Sequence, residues 1–265
     1  MTTSKVSFDP FSDDFFNAPF ATYRRMRDEA PVYYNEIYDF YALTRHEDVT
    51  EALKDHQTYS SSRGIDLAMV QSGQPVPPLI IMMDPPAHRR MRSLVNKVFT
   101  PRAIERQRQT VIDTIDHYLD AADPEHFDVV QDFSALFPVE VITEMLGVPK
   151  AQRQDVRLLL DKQLAREYGN IEMPEEGIQA GIQTGLMYYN IIQEHRAHPQ
   201  DDMISDLIDV EIERDGEMTK LDDIEITGFA SLLGGAGAET VTKLVGNAVV
   251  TFADYPEQWQ ELIED

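Results

Sequence analysis

The chain has 265 residues, 42% of them hydrophobic and 26% charged, with 23 Lys+Arg against 47 Asp+Glu and a formal net charge of −24. That balance excludes bulk attraction to nucleic acid or to an anionic membrane surface, while the apolar share is that of a globular core. There is no cysteine, which excludes disulfides, thiolate zinc sites and iron–sulfur clusters from these residues.

The opening Met-Thr-Thr-Ser-Lys-Val-Ser-Phe-Asp-Pro has no apolar signal core, so a cytoplasmic protein is expected. Residues 1–18 read as an arm lying on a body. Phe20, Tyr23 and Met26 fall at helical spacing from Pro19 to Ala30, where Pro31 ends the helix. Val32–Tyr34 and Asp39–Thr44 are aromatic-rich strands around Asn35-Glu36, a hairpin, and His46–Asp55 is a short helix. Residues 56–83, with serines, glycines and three prolines, read mainly as a long loop, a feature that in compact domains is usually functional.

Asp84 is a natural N-cap for a helix with Pro85 at its first position. Met91, Leu94, Val95, Val98 and Phe99 give that helix an apolar face, and His88 and Arg92 stack one turn apart on its surface. Seven of the 23 basic residues fall between positions 88 and 108, a concentration that suits an anion. Thr100-Pro101 starts a helix reaching about Ala122, and Pro138–Leu146 forms another, stopped by Gly147-Val148-Pro149. Two longer helices follow near 150–168 and 175–197. His195 and His198, at i, i+3 without an acid ligand beside them, read as surface histidines. Eleven acids between Asp201 and Glu225 read as a solvated helix and a turn at Asp215-Gly216.

The stretch from Gly228 to Val250 is a nearly apolar helix, within a longer one over about 221–254, that carries four glycines between 234 and 246. Each interior Gly costs a helix about 1 kcal/mol relative to Ala. Two explanations stand: close packing of helices through small residues, or a surface that lets a flat ligand approach the backbone. Glu239 is its only carboxylate, next to the hydroxyl of Thr240. Tyr255-Pro256 ends it, and Glu257–Ile263 starts one more helix. The expected fold is mainly α with a small β-sheet, in a single domain over 1–265.

Together, Asp84-Pro85-Pro86-Ala87-His88-Arg89-Arg90-Met91-Arg92 and Gly235-Ala236-Gly237-Ala238-Glu239-Thr240 resemble the cytochrome P450 family, in its soluble, anchor-free bacterial form. Leu146-Gly147-Val148-Pro149 and Pro256-Glu257-Gln258-Trp259 support the match. The resemblance implies the P450 fold, incomplete at the carboxy terminus because the chain corresponds to roughly the first two thirds of a member. It implies a haem-thiolate monooxygenase that inserts one oxygen atom from O2 into a small hydrophobic organic substrate. Haem b is the implied cofactor, with His88 and Arg92 on its propionates and Ala236 and Gly237 leaving room for it. Thr240 and Glu239 would deliver protons, Leu232 and Gly235 would touch substrate, and the basic 89–108 face would dock a ferredoxin-type donor. The family's Glu-x-x-Arg helix and its iron-ligating Cys loop have no counterpart here, so no metal ligand is assigned and the chain alone is expected to be inactive. The alternative is a non-catalytic helical remnant acting as a binding or interaction module.

Overall fold

The computed structural model describes residues 6–264 except 168 and 215, and leaves the side chains of Asp14, Val95, Lys97, Val98, Ala103 and Arg214 outside that description. The expected apolar contributions of Val95 and Val98 and the Asp215 half of the expected turn therefore lie outside the described residues. The chain divides into two compact units: Met1–Arg89 with Ala165–Glu175, and Arg90–Leu164 with Glu176–Asp265.

The first unit runs through α1 (Asp13–Asn17), α2 (Pro19–Glu29), β1 (Val32–Asn35), β2 (Phe40–Leu43), α3 (His46–Lys54) and α4 (Leu67–Ser72). A 3-10 turn at Ile80–Met82 then leads to α5 (Ala87–Val98), inside which the division falls. Val6, Phe8 and Met26 are its buried core, with Phe15, Tyr23, Tyr33 and Phe40 packed against them. The amino-terminal arm is thus part of the core. Phe20, expected on the apolar face of α2, is 80% exposed instead. The hairpin pairs β1 and β2 antiparallel, Val32 opposite Leu43. Its turn is built by buried Asn35, whose side-chain oxygen accepts from the backbone N–H groups of Ile37 and Tyr38, both at 2.9 Å. The side-chain amide of Asn35 donates to the Phe8 carbonyl at 2.9 Å, tying the turn to the arm.

Asp84 does not cap α5 through its side chain. Its carboxylate accepts from the Ser60 hydroxyl at 2.5 Å and the Ser61 N–H at 3.1 Å, and α5 begins at Ala87. A partner more than twenty residues away has taken the group that local reading assigned to the helix. The 56–83 stretch is accordingly pinned there and again where the Gln71 side-chain amide donates to the Tyr38 carbonyl at 2.5 Å, besides containing α4.

The second unit holds the rest of α5, α6 (Pro101–Ala121), a single π-helical turn at Val129–Ser134, α7 (Phe137–Met145) and α8 (Arg153–Leu164). It continues with α9 (Glu175–Ala197), α10 (Met203–Asp209), β3 (Glu211–Arg214), β4 (Glu217–Lys220), α11 (Asp223–Asp254) and α12 (Pro256–Glu264). The acid-rich stretch is not simply solvated. Met203, Ile204, Leu207 and Ile208 of α10 are buried while Asp206 and Asp209 face out, and β3 and β4 form an antiparallel hairpin. His195, expected at the surface, is 6% exposed, with Nδ1 3.3 Å from Asp202 Oδ2. Gly147, at φ +78°, makes that corner possible: a Cβ there would lie 2.7 Å from both Asp202 Cγ and His195 Cε1.

Arg153 joins α7 to α8. It donates to Glu144 at 2.7 Å, to Glu140 at 3.4 Å and to the Val148 carbonyl at 3.1 Å. Beside it, burial and then the Glu140 charge push the Tyr118 phenol up to about 12. The 32-residue α11 is opened by a capping box, in which Asp222 accepts from the Glu225 N–H while the Glu225 carboxylate accepts from the Asp222 N–H. It packs along α7, α8, α10 and the π-helical turn.

Candidate functional site

α11 divides the residues expected to form a site between two surfaces. Ala236, Thr240, Lys243, Leu244, Asn247 and Val250 are exposed, and at about 100° per residue they share one face. Leu232, four residues before Ala236, lies half-buried in line with them. The other side of the helix is closed. A Cβ at Gly237 would lie 2.6 Å from Ile142 Cγ1 on α7, one at Gly235 3.2 Å from Leu160 Cδ1 on α8, and one at Gly246 3.3 Å from Val130 Cγ2. Gly234 meets the Tyr188 hydroxyl on α9.

All four glycines between 234 and 246 therefore face neighbouring elements. The space beside Gly237 and Gly235 is filled by Ile142 and Leu160, so their missing side chains serve close helix packing instead of opening room on the exposed face. Sequence alone could not separate the two explanations, because which flank a glycine occupies depends on where the neighbours sit. Ile142, Tyr188 and Leu160 were not singled out in the sequence; their only signal there is membership of apolar helices.

On the open face the Thr240 hydroxyl donates to the Ala236 carbonyl one turn back, at 3.0 Å. Its proton is thereby held by the helix while its lone pairs face outward. Glu239 sits at the edge of the face, its side chain 29% exposed and ion-paired with Lys243 one turn on. The chemistry available there is modest: an apolar floor of Leu232 and Ala236, a hydroxyl bonded to the helix backbone, and a carboxylate with an ammonium beside it.

In the first unit, His88 is half-buried at a cavity of about 550 Å³ whose wall includes Leu43, Val49, Leu53, Ile80, Met83 and Asp84. Hydrogen bonding by Ser60, then by the Ser61 N–H, holds the Asp84 carboxyl below the usual carboxylate range. Arg92, one turn beyond His88 in sequence, is exposed, as are Arg89, Arg90, Arg102, Arg106 and Arg108. Arg108 pairs with Glu105 at 2.8 Å. Among the described residues no group of three His, Asp or Glu is placed to hold a metal ion, and no helix is long and apolar enough to cross a membrane.

No family model matches the chain. Individual relatives do. The putative cytochrome P450 123 of Mycobacterium tuberculosis is 38% identical over 264 residues, 98% of this chain and 65% of the relative. The putative cytochrome P450 YjiB of Bacillus subtilis is 33% identical over 250 residues, covering 92% and 61%. Among solved structures, ligand-free cytochrome P450 TbtJ1 superposes with a TM-score of 0.80 at 32% identity, over 98% of this chain and 65% of that one. Substrate-free CYP109E1 of Bacillus megaterium gives 0.79 at 30% identity, over 94% and 64%.

The chain belongs to the cytochrome P450 family. It spans about 65% of the length of the relative with which it shares 38% identity. Its mainly helical fold with two small antiparallel hairpins is a P450 fold, incomplete relative to its structural neighbours.

The family implies haem, and the residues of this P450 fit part of such a group. In the second unit α11 offers an open face floored by small and apolar side chains; in the first, the imidazole of His88 lies at a cavity wall. With no cysteine in 265 residues, this stretch carries no thiolate to ligate iron.

Proposed function

We propose that the chain supplies the oxygen-side wall of a haem-thiolate monooxygenase acting on a small hydrophobic substrate. The observation that carries this is the division of α11: Ala236 and Thr240 open on one face, with half-buried Leu232 in line, while the four glycines between 234 and 246 are consumed by packing on the others.

Haem b, when bound, supplies the redox chemistry with dioxygen; the protein supplies orientation, protons and exclusion of water. Ala236, with a single methyl, keeps the floor low, and Gly237 brings the backbone close to α7 behind it. Leu232 offers an apolar contact to substrate, next to Gly235. Thr240 holds a proton at Oγ1 that passes outward once its bond to the Ala236 carbonyl is released. Glu239 stands next to it as the carboxylate that takes up and passes on protons, charged against Lys243. His88 and Arg92 would hold the two carboxylates of haem by hydrogen bonds, charge-assisted at the Arg92 guanidinium. The exposed arginines at 89, 90, 92, 102 and 106 would meet an acidic ferredoxin-type electron donor. A cytoplasmic setting suits that partner.

Monooxygenation needs a thiolate that these 265 residues do not contain, so the chain alone is expected to take up haem weakly and to be inactive. A haem titration of the purified chain tests this, followed by reduction and a carbon-monoxide difference spectrum. Weak uptake without the thiolate-type band is the expected result. Cooperative folding with no uptake at all would favour a helical binding module in place of an oxygenase wall.

A further inference from the structure

The approach of Ile142 to Gly237 leaves no room for a side chain at 237. A Cβ at 237 would lie 2.6 Å from Cγ1, 3.0 Å from Cβ and 3.1 Å from Cδ1 of one isoleucine. Ile142 is β-branched, and one of the three atoms is its own Cβ, so turning its side chain cannot clear the space. Something larger has to move. α7 is firmly seated: Phe137, Pro138, Val139, Ile142 and Thr143 are buried, and Glu140 and Glu144 are tied to Arg153. α11 is seated against Ile142 at Gly237 on one flank and against Leu160 at Gly235 on the other, while its Ala236–Thr240 face is open, so it can turn only between those seats. A push at 237 is therefore relieved by rotation of α11. Gly237 lies about 100° round the helix from Ala236 and about 60° from Thr240, so that rotation re-aims both.

We propose that Ile142 is a positioning residue which, seated on Gly237, sets the rotation of α11 and hence the direction in which Thr240 and Ala236 open. This rests on reading that face as the oxygen-side wall. Tyr188 on Gly234 is the second point of the same seat, one turn earlier on the closed side.

The absence of cysteine allows a direct test. Thr240→Cys introduces one thiol on the open face, and its exchange rate with an aromatic disulfide reports access at that position. Adding Gly237→Ala is expected to change that rate several-fold, and adding Ile142→Ala to the same chain to return it to the starting value. A thiol placed by Leu119→Cys on α6, in otherwise matched chains, is expected to keep its rate throughout. Should Gly237→Ala alone fail to fold, recovery of both folding and the parental rate by Ile142→Ala still supports the seat. Ile142→Ala with Gly237 kept loosens α11, and a faster rate at 240 is expected. An unchanged rate at 240 in folded Gly237→Ala, or a pair that remains altered or unfolded, overturns the proposal. Haem titration of the same proteins is scored separately: loss of haem uptake in every chain, parent included, would remove the oxygenase reading and leave the thiol rates intact.

Discussion

The hydroxyl of Tyr188, fully buried on α9, rests against the backbone of Gly234 in α11 and has no hydrogen-bond partner among the described residues. Burial alone raises the phenol above its usual range, so it stays neutral. Gly234→Ala drives a methyl into that hydroxyl, an overpacking that typically costs about 1–3 kcal/mol. Tyr188→Phe removes a polar atom whose unpaired burial costs about 1–3 kcal/mol, so it is expected to be neutral or stabilising. Loss of the hydroxyl also makes room, and the double variant should lose less than Gly234→Ala alone. Urea unfolding of the four proteins measures the coupling; strictly additive effects would refute the contact.

Asp84 gives a pH dependence with a definite sign. Its carboxyl is held below the ordinary value first by the Ser60 hydroxyl and then by the Ser61 N–H. A depressed carboxylate contributes stability that is present above the unfolded value and fades as pH falls through the folded one. The 60–62 segment is therefore expected to be anchored at neutral pH and to loosen in acid, below the normal Asp range. Amide exchange at Ser61 follows this directly. Asp84→Ala should show the loosened exchange at neutral pH; equal protection in both proteins would contradict the latch.

Arg153 carries three hydrogen bonds and is 15% exposed at its side chain. Arg153→Met keeps much of the apolar stem but leaves Glu140, 13% exposed, without its cation. A loss of about 2 kcal/mol is expected, since breaking a largely buried pair strands the remaining charge. Glu140→Gln in the same chain should recover part of it. The midpoint of thermal unfolding is the measurement.

Haem uptake, if the oxygenase reading holds, depends on the cations of α5. His88→Ala and Arg92→Ala each remove a charge-assisted bond worth about 1.5–3 kcal/mol where water is excluded. Arg92 is exposed, so roughly a tenfold rise in Kd is the larger effect to expect there, at 1.4 kcal/mol per decade. Titrations of both variants at low salt, where exposed charge pairs are least screened, give the comparison. Unaltered affinity in both would remove these residues from the haem contact.

Local signals carried far in this chain. The period of apolar residues and the prolines at helix starts placed α2, α3, α6, α7, α9 and α11 within a residue or two of their observed limits. The π-helical turn at 129–134 had no such signal, and the β3–β4 hairpin showed only its turn. What failed was any group whose partner is distant in sequence. Asp84 looked like a cap because caps are local, and its carboxylate went to Ser60 and Ser61. His195 was read as a surface histidine because no acid ligand stood beside it on its helix, whereas Gly147 and Asp202 close over it from two other segments.

The helix at 228–250 shows both limits at once. By itself the sequence determined that this segment is a long apolar helix with a family motif, since helical period, composition and capping are properties of neighbouring residues. Which glycines pack and which small residues stay open was decided only by the tertiary structure. A missing side chain acquires meaning from the atom that fills its place, and Ile142, Leu160, Tyr188 and Val130 arrive from four separate segments. The open row through Ala236 and Thr240 is what those four leave uncovered.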